Sequence, residues 1–219
     1  MAFHDQPANI GELPPGVRLF PLEGVVLLPG SELPLHIFEP RYRAMVVDSL
    51  ASDRMIAMVQ PRADNTRPHM PDLYDVGALG RIARHSETGD GRFLITLTGV
   101  IRFRLRRELQ AGTPYRQAEV SYAGFEADVR GMQQLAADCR AKLEAVLRRY
   151  ARQLSFSADW NAIHQAVDDV LVGALCMALP FRPVERQALL EAPDLTARAD
   201  MLMTLMRLVG DGPDSGTVQ

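Results

Sequence analysis

Lysine is almost missing from this chain: of its 24 basic residues only Lys142 is a lysine, and the rest are arginines. Chemistry that depends on a lysine, such as a Schiff base or a Ser-Lys nucleophile pair, therefore has one candidate to offer. Cysteine is as scarce, with Cys139 and Cys176 alone. Both fall on apolar faces of predicted helices, where two buried thiols are a simpler reading than a disulfide or redox pair. Charge of one sign is not in excess. A formal net charge of -3 gives no general attraction to nucleic acid or anionic lipid. No long apolar run occurs either: the most apolar late stretch, Val170–Leu179, follows Asp168 and Asp169 and falls well short of the roughly 20 residues that cross a bilayer. The N-terminus lacks a basic region leading into an apolar core, so it is unlike a signal peptide. These absences predict a cytoplasmic protein with no membrane contact.

What the chain does have is enough apolar residue, 47% of 219, to bury one large or two small cores. The segment Leu19 to Leu50 carries the densest pattern. Pro21 marks an edge strand or strand end after Val17 and Leu19, because it cannot donate to a ladder. Val25 to Leu28 reads as a strand buried on both faces, and Pro29-Gly30 as a turn. Leu33, Leu35 and Ile37 alternate with Pro34, His36 and Phe38 as a further strand. Pro40 then suits the first turn of a helix whose inner stripe is Tyr42, Met45, Val46 and Leu50.

Beyond it, Met55 to Gln60 reads as another buried strand. Pro61 to Asp72 lacks periodicity and is predicted to be a surface loop of the kind that often binds. Tyr74 to His85, Arg92 to Leu109 and Tyr115 to Tyr122 read as strands, with Gly89-Asp90-Gly91 as a hairpin turn and Gly77, Gly80 and Gly99 as bends. About five to seven strands with glycine bends predict a small closed or nearly closed barrel. At Glu126 the apolar period changes from two to 3.6. A helix of about 25 residues, roughly 40 Å long, is expected from Val129 and Met132 through Leu154. A second runs from Trp160 to Pro180, Pro183 opens a short third, and Asp194 caps a fourth whose inner stripe is Leu195, Leu202, Leu205 and Val209. Four helices with short joins predict an antiparallel bundle. The expected organisation is α+β: residues 1–15 a loose lead-in, 16–124 a β domain with one helix, 125–210 the bundle and 211–219 a disordered tail.

LFPLEGVVLLPG followed by LPLHIFEPRYRAMV resembles the opening of the N-terminal, substrate-binding domain of Lon proteases. LYDVGALGRIARH, GRFLITLTGVIRFRL and the run ALPFRPVERQALLEAPDLTARADMLMTLM are similar to that domain's middle strands and closing helices, so the resemblance covers roughly Leu19 to Leu208. It implies a PUA-like barrel followed by helices, and a module that binds unfolded or extended polypeptide segments. Full-length Lon proteases continue into an ATPase and a Ser-Lys peptidase module. No G-x-x-x-x-G-K-[ST] loop is present here, Lys142 lies mid-helix, and the sequence ends after the helices. The chain is thus expected to be a stand-alone, non-catalytic module, whatever protease name its family carries.

Other chemistry is also without its residues. There is no G-x-S-x-G elbow, and His4, His36, His69, His85 and His164 lack metal-ligand spacing. Adjacent Asp168 and Asp169 cannot face each other on a helix. No catalytic residue, metal or cofactor is expected. Three constellations remain as binding candidates. At the strand-helix corner, Leu35, His36, Phe38, Arg41 and Tyr42, with Glu39 and Arg43, serve either as architecture or as peptide contacts. The stripe Arg102, Arg104 and Arg106 with Arg107 is either a solvated strand face or a phosphate contact for RNA. Among Met177, Met201, Met203 and Met206, core filling is expected except for Met203, which by spacing lies off the inward stripe and is offered to a peptide. A scaffold role, binding one folded partner or a second copy, stays open beside these.

Overall fold

The computed structural model describes residues 10–62, 70–131 and 133–210. His4, His69, Met132, most of the lead-in and the expected tail 211–219 lie outside the described residues, as does the side chain of Val209. The described residues fall into two compact units. One takes the chain up to Gly131 together with Arg182–Glu191; the other takes the described residues of 133–181 and those from Ala192 on.

The first unit is built on a mixed sheet of six strands: β1 (Gly16–Pro21), β2 (Glu32–Ile37), β3 (Met55–Val59), β4 (Val76–Glu87), β5 (Phe93–Leu109) and β6 (Gln117–Ser121). Their order is β2-β5-β4-β3-β1-β6, and β6 also pairs with β5. Only β1 and β3 run parallel; every other pair is antiparallel. The length of β5 makes this possible. Its first half pairs with β2 and its second half with β6, so the ladder β5-β4-β3-β1-β6 returns to β5 while β2 branches off as a free-sided strand among the described residues. α1 (Pro40–Leu50) starts at Pro40 as its ring predicts and buries Tyr42, Met45 and Val46. The end of the lead-in is tied down: the Pro14 carbonyl accepts from the Tyr122 hydroxyl, and that of Pro15 from the Val120 N–H.

Val25 to Leu28 corrects the sequence reading. Val26, Leu27 and Leu28 are buried and Val25 half-buried, but the segment forms no strand. It crosses the sheet where Gly80 and Gly99 stand opposite one another, and a Cβ on Gly99 would collide with the Leu28 carbonyl. One on Gly80 would stand 2.6 Å from Leu27 Cδ2. The two glycines are therefore room for a plug of Leu27 and Leu28, and the apolar run fills the sheet's interior instead of joining its ladder.

The helical half also departs from the simple periodic reading. In place of one long helix from Glu126 there is a 3-10 turn at Glu126–Val129, and α2 (Ala137–Gln153) begins later. The next expected helix is broken into α3 (Trp160–Gln165) and α4 (Asp168–Ala178), with Ala166 and Val167 extended. Arg140 explains the break: its guanidinium takes the carbonyls of Ile163, His164 and Ala166 and the carboxylate of Asp168, satisfying groups that a continuous helix would have bonded internally. α6 (Leu195–Gly210) is capped by Asp194, whose Oδ1 accepts from the Ala197 N–H at 2.8 Å. It packs against α2 and α4.

α5 (Pro183–Glu191) is not where a four-helix bundle would put it. It belongs to the sheet's unit. Gln187 Nε2 donates to the Val76 carbonyl at 3.0 Å, and Gln60 Nε2 donates to Gln187 Oε1 and the Pro183 carbonyl, both at 3.1 Å. This corrects the place expected for the third helix. Its apolar stripe, Leu189 and Leu190, reads the same whether the face it covers is a helix or a sheet.

Candidate functional site

The strand-helix corner is split by the fold into a wall and a floor. Leu35 is half-buried and His36 exposed on β2, and Phe38 is 58% exposed, with its ring 5.9 Å from that of His36. Phe38 is thus a surface side chain, against the architectural expectation that it joined the core. Tyr42 goes the other way and is only 6% exposed. Its ring lies 4.4 Å from that of Phe20, and the Arg41 guanidinium stacks 4.5 Å from its centre. Arg41 in turn pairs with Glu39 at 2.8 Å near the surface.

Tyr42 and Arg41 line a cleft of about 440 Å³. Its walls come from Pro21 at the end of β1, from Pro61, Met70 and Pro71 of the expected surface loop, and from the β5–β6 connection, Leu109 to Arg116. Two tyrosines face it with different fates. The Tyr115 hydroxyl donates to Asp48 Oδ2 at 2.5 Å. That of Tyr42 finds no partner among the described residues. Burial pushes the Tyr42 phenol up, against the opposing pull of the Arg41 and Arg116 cations, so it stands as a protonated donor. Arg116 is committed to Glu108 and to the Pro71 carbonyl.

Sequence reasoning reached Arg41, Tyr42 and the loop from Pro61, but missed the β5–β6 connection. The available signal was Ala-Gly-Thr-Pro between two strands, a turn followed at once by Tyr115 and Arg116. A shallower depression of about 490 Å³ lies along Pro34, Leu35 and His36 of β2 and Leu94 and Thr96 of β5.

The remaining candidates are relocated. Arg102 is not on a solvated face. Its side chain and that of Asp128 are 2% and 3% exposed and form an ion pair at 2.9 Å. Asp128 also accepts from the Arg102 Nε and backbone N–H, and Arg102 Nη1 donates to the Leu190 carbonyl at 3.1 Å. The 3-10 turn and α5 cover the outer side of β5 there, which removes Arg102 from any phosphate-binding stripe; Arg104 stays exposed. Met203 is buried at 4% exposure, so it fills the interior of the helical unit instead of facing a peptide. Cys139 and Cys176 are buried, and neither is in a disulfide. Among the described residues no three of His, Cys, Asp or Glu gather to hold a metal, and no helix is long and apolar enough to cross a membrane.

The family model of the ATP-dependent protease La (LON) substrate-binding domain matches residues 16–207. The chain belongs to that family. Among its Lon relatives, Lon protease 2 of Syntrophobacter fumaroxidans is 29% identical over 187 residues, which make up 84% of this chain and 23% of that protein. Lon protease 2 of Myxococcus xanthus is 26% identical over 209 residues, 90% of this chain and 24% of that protein. The chain thus spans about a quarter of the length of the curated Lon proteases it matches. A Lon N-terminal domain protein from Xanthomonas campestris, solved as a crystal structure, superposes with a TM-score of 0.60 at 25% identity, covering 86% of this chain and 97% of that one. The N-terminal domain of the Mycobacterium avium complex Lon protease shares the fold, with a TM-score of 0.62 at 16% identity and 88% and 98% covered. What is matched is the Lon substrate-binding region, and neither the ATPase nor the peptidase part of the relatives falls within the match.

Proposed function

We propose that this chain is a non-catalytic polypeptide-binding module that takes extended, partly apolar segments of other chains in the cytoplasm, with no nucleotide and no covalent step. The observation that carries the reading is the cleft at the start of α1: proline and methionine walls, an aromatic floor and a Tyr42 hydroxyl without a partner among the described residues, together with family membership. Apolar walls give affinity with little selectivity, while proline walls lose little freedom when a segment is bound. The frame is read as a small PUA-like barrel, supported by the ladder that returns to β5.

Strand addition to β2 plays a smaller part. The Ser31 carbonyl accepts from the Gly99 N–H, so the positions bonded to β5 run Leu33, Leu35 and Ile37. Glu32, Pro34 and His36 turn their backbone to the free side, where Pro34 has no N–H to offer. A visiting strand would meet a gap in the middle of the edge. The exposed rings of His36 and Phe38 and the half-buried Leu35 instead offer side-chain contact, with Leu35 and His36 in the shallower depression along β2.

Hydrogen exchange tests this with the intact chain, with and without an excess of a permanently unfolded polypeptide. Added protection is expected at Leu33 to Tyr42 and Leu109 to Arg116. Identical exchange in both samples would remove the reading.

A further inference from the structure

Tyr42 is the side chain in the cleft whose chemistry is left open. Its ring is buried on Phe20 while its hydroxyl is open to the cleft, so a bound segment can take its proton in place of water. Tyr115 gives its proton to Asp48 and Tyr122 gives its own to the Pro14 carbonyl, yet the Tyr42 hydroxyl, on the cleft floor, gives to no described residue. The group beside it is also incomplete. Arg41 spends Nε and one amino group on Glu39 and keeps Nη1 without a hydrogen bond among the described residues. An O–H and an N–H of a cation thus belong to neighbouring residues lining one cleft, with the positive charge of Arg116 felt at the same phenol. Two oxygens on one small anionic group complement two such donors, and a carboxylate is the polypeptide group that has them.

We propose that the cleft is a socket for the carboxyl end of a polypeptide, with the terminal carboxylate on Tyr42 Oη and Arg41 and the last side chain against Pro21, Met70 and Leu109. This rests on the polypeptide-binding reading and sharpens it. Size selects the chain end. A volume of about 440 Å³ is that of a small-molecule site, suited to the last few residues of a chain and too small for a folded surface. Captured chain ends are an established way to gain specificity from a single charged group. The carboxylate already in the lining, Glu108, is held by Arg116, and the pairing of Glu39 with Arg41 keeps that guanidinium over the Tyr42 ring.

Fluorescence anisotropy on the intact chain tests the socket with three labelled decapeptides of glycine and serine, two ending in Ala-Leu-Leu and the third in Ala-Glu-Leu. The first has a free carboxylate, the second is amidated, and the third is amidated with a glutamate next to the last residue. Amidation is expected to weaken binding about tenfold or more, and the internal glutamate should not restore it. Tyr42→Phe keeps the ring on Phe20, and Arg41→Gln changes a side chain at the surface, so both are expected to fold. Each should weaken the acid peptide several-fold more than it weakens the amide, narrowing the gap between the two. Acid and amide binding within about twofold of each other, or full rescue by the internal glutamate, would overturn the socket. If the peptides then still bind, or the unfolded polypeptide still protects the cleft, the broader reading survives; if neither holds, both fall.

Discussion

At the scale of single residues, the Arg102–Asp128 pair shows how far alternation can be trusted. The pattern from Ile101 to Leu105 correctly puts Phe103 inward and Arg102 outward. It says nothing of what covers the outward face, and the covering groups are 26 and 88 residues away in sequence. Breaking a buried pair by removing one member strands the other, so Asp128→Ala is expected to cost about 3–5 kcal/mol in urea unfolding. Arg104→Ala, on the exposed side chain two residues along, should stay within about 0.5 kcal/mol of the parent.

The tyrosines give a second prediction at this scale. Burial raises the phenols of Tyr42, Tyr115, Tyr122 and Tyr150 above their ordinary value of 10.0. A raised folded-state value means that the unfolded chain releases its protons first. The stability these groups contribute is complete below pH 10 and drains away as pH climbs through the folded values. The expected slope is up to about 1.4 kcal/mol per pH unit for each tyrosine involved. Urea midpoints between pH 9 and pH 12 check this, and a midpoint that holds or rises across that window would contradict it.

Among elements, strands were legible and their absences were not. The alternation in β2 and β5, the proline that opens α1 and the turn before Arg92 all appear where their residues put them. Val25 to Leu28 has the composition of a buried strand because burial is what that composition encodes; whether a ladder or a plug does the burying depends on Gly80 and Gly99, more than fifty residues on. The break between α3 and α4 likewise depends on Arg140, on another helix. The cleft was half legible for the same reason, since Tyr42 and its loop were near in sequence and the β5–β6 connection was not. Pro34 supports a prediction at this scale. Pro34→Val restores an N–H and a β-branched side chain to a free edge, so the variant should self-associate with rising concentration in sedimentation velocity. A sedimentation coefficient that stays constant with concentration would show that the edge is guarded by something else.

For the whole molecule, composition settled the class and the family resemblance settled the fold, but neither assigned α5. A short helix between two others is counted with them when only sequence order is available. Its polar side chains were the overlooked sign. Gln187 on an otherwise apolar stripe is matched by Gln60 at the end of a buried strand, two amides that need each other once buried. Gln187→Ala leaves the Gln60 amide short of a partner and is expected to cost about 1–3 kcal/mol. In native-state hydrogen exchange the loss should speed exchange in α5 and the first residues of β4. If α2 and α6 accelerate equally and α5 does not stand out, the helix draws its stability from elsewhere.

Because α5 lies on the sheet while its neighbours in sequence lie in the other unit, no single cut can separate the two halves cleanly. A fragment ending at Gly131 would carry a Gln60 whose Nε2 has lost both acceptors and an Arg102 missing its Leu190 carbonyl, and the leftover piece would trail a helix with nothing to cover. Anyone trimming this chain to its smallest working part has to splice Arg182–Glu191 back in, or keep it whole.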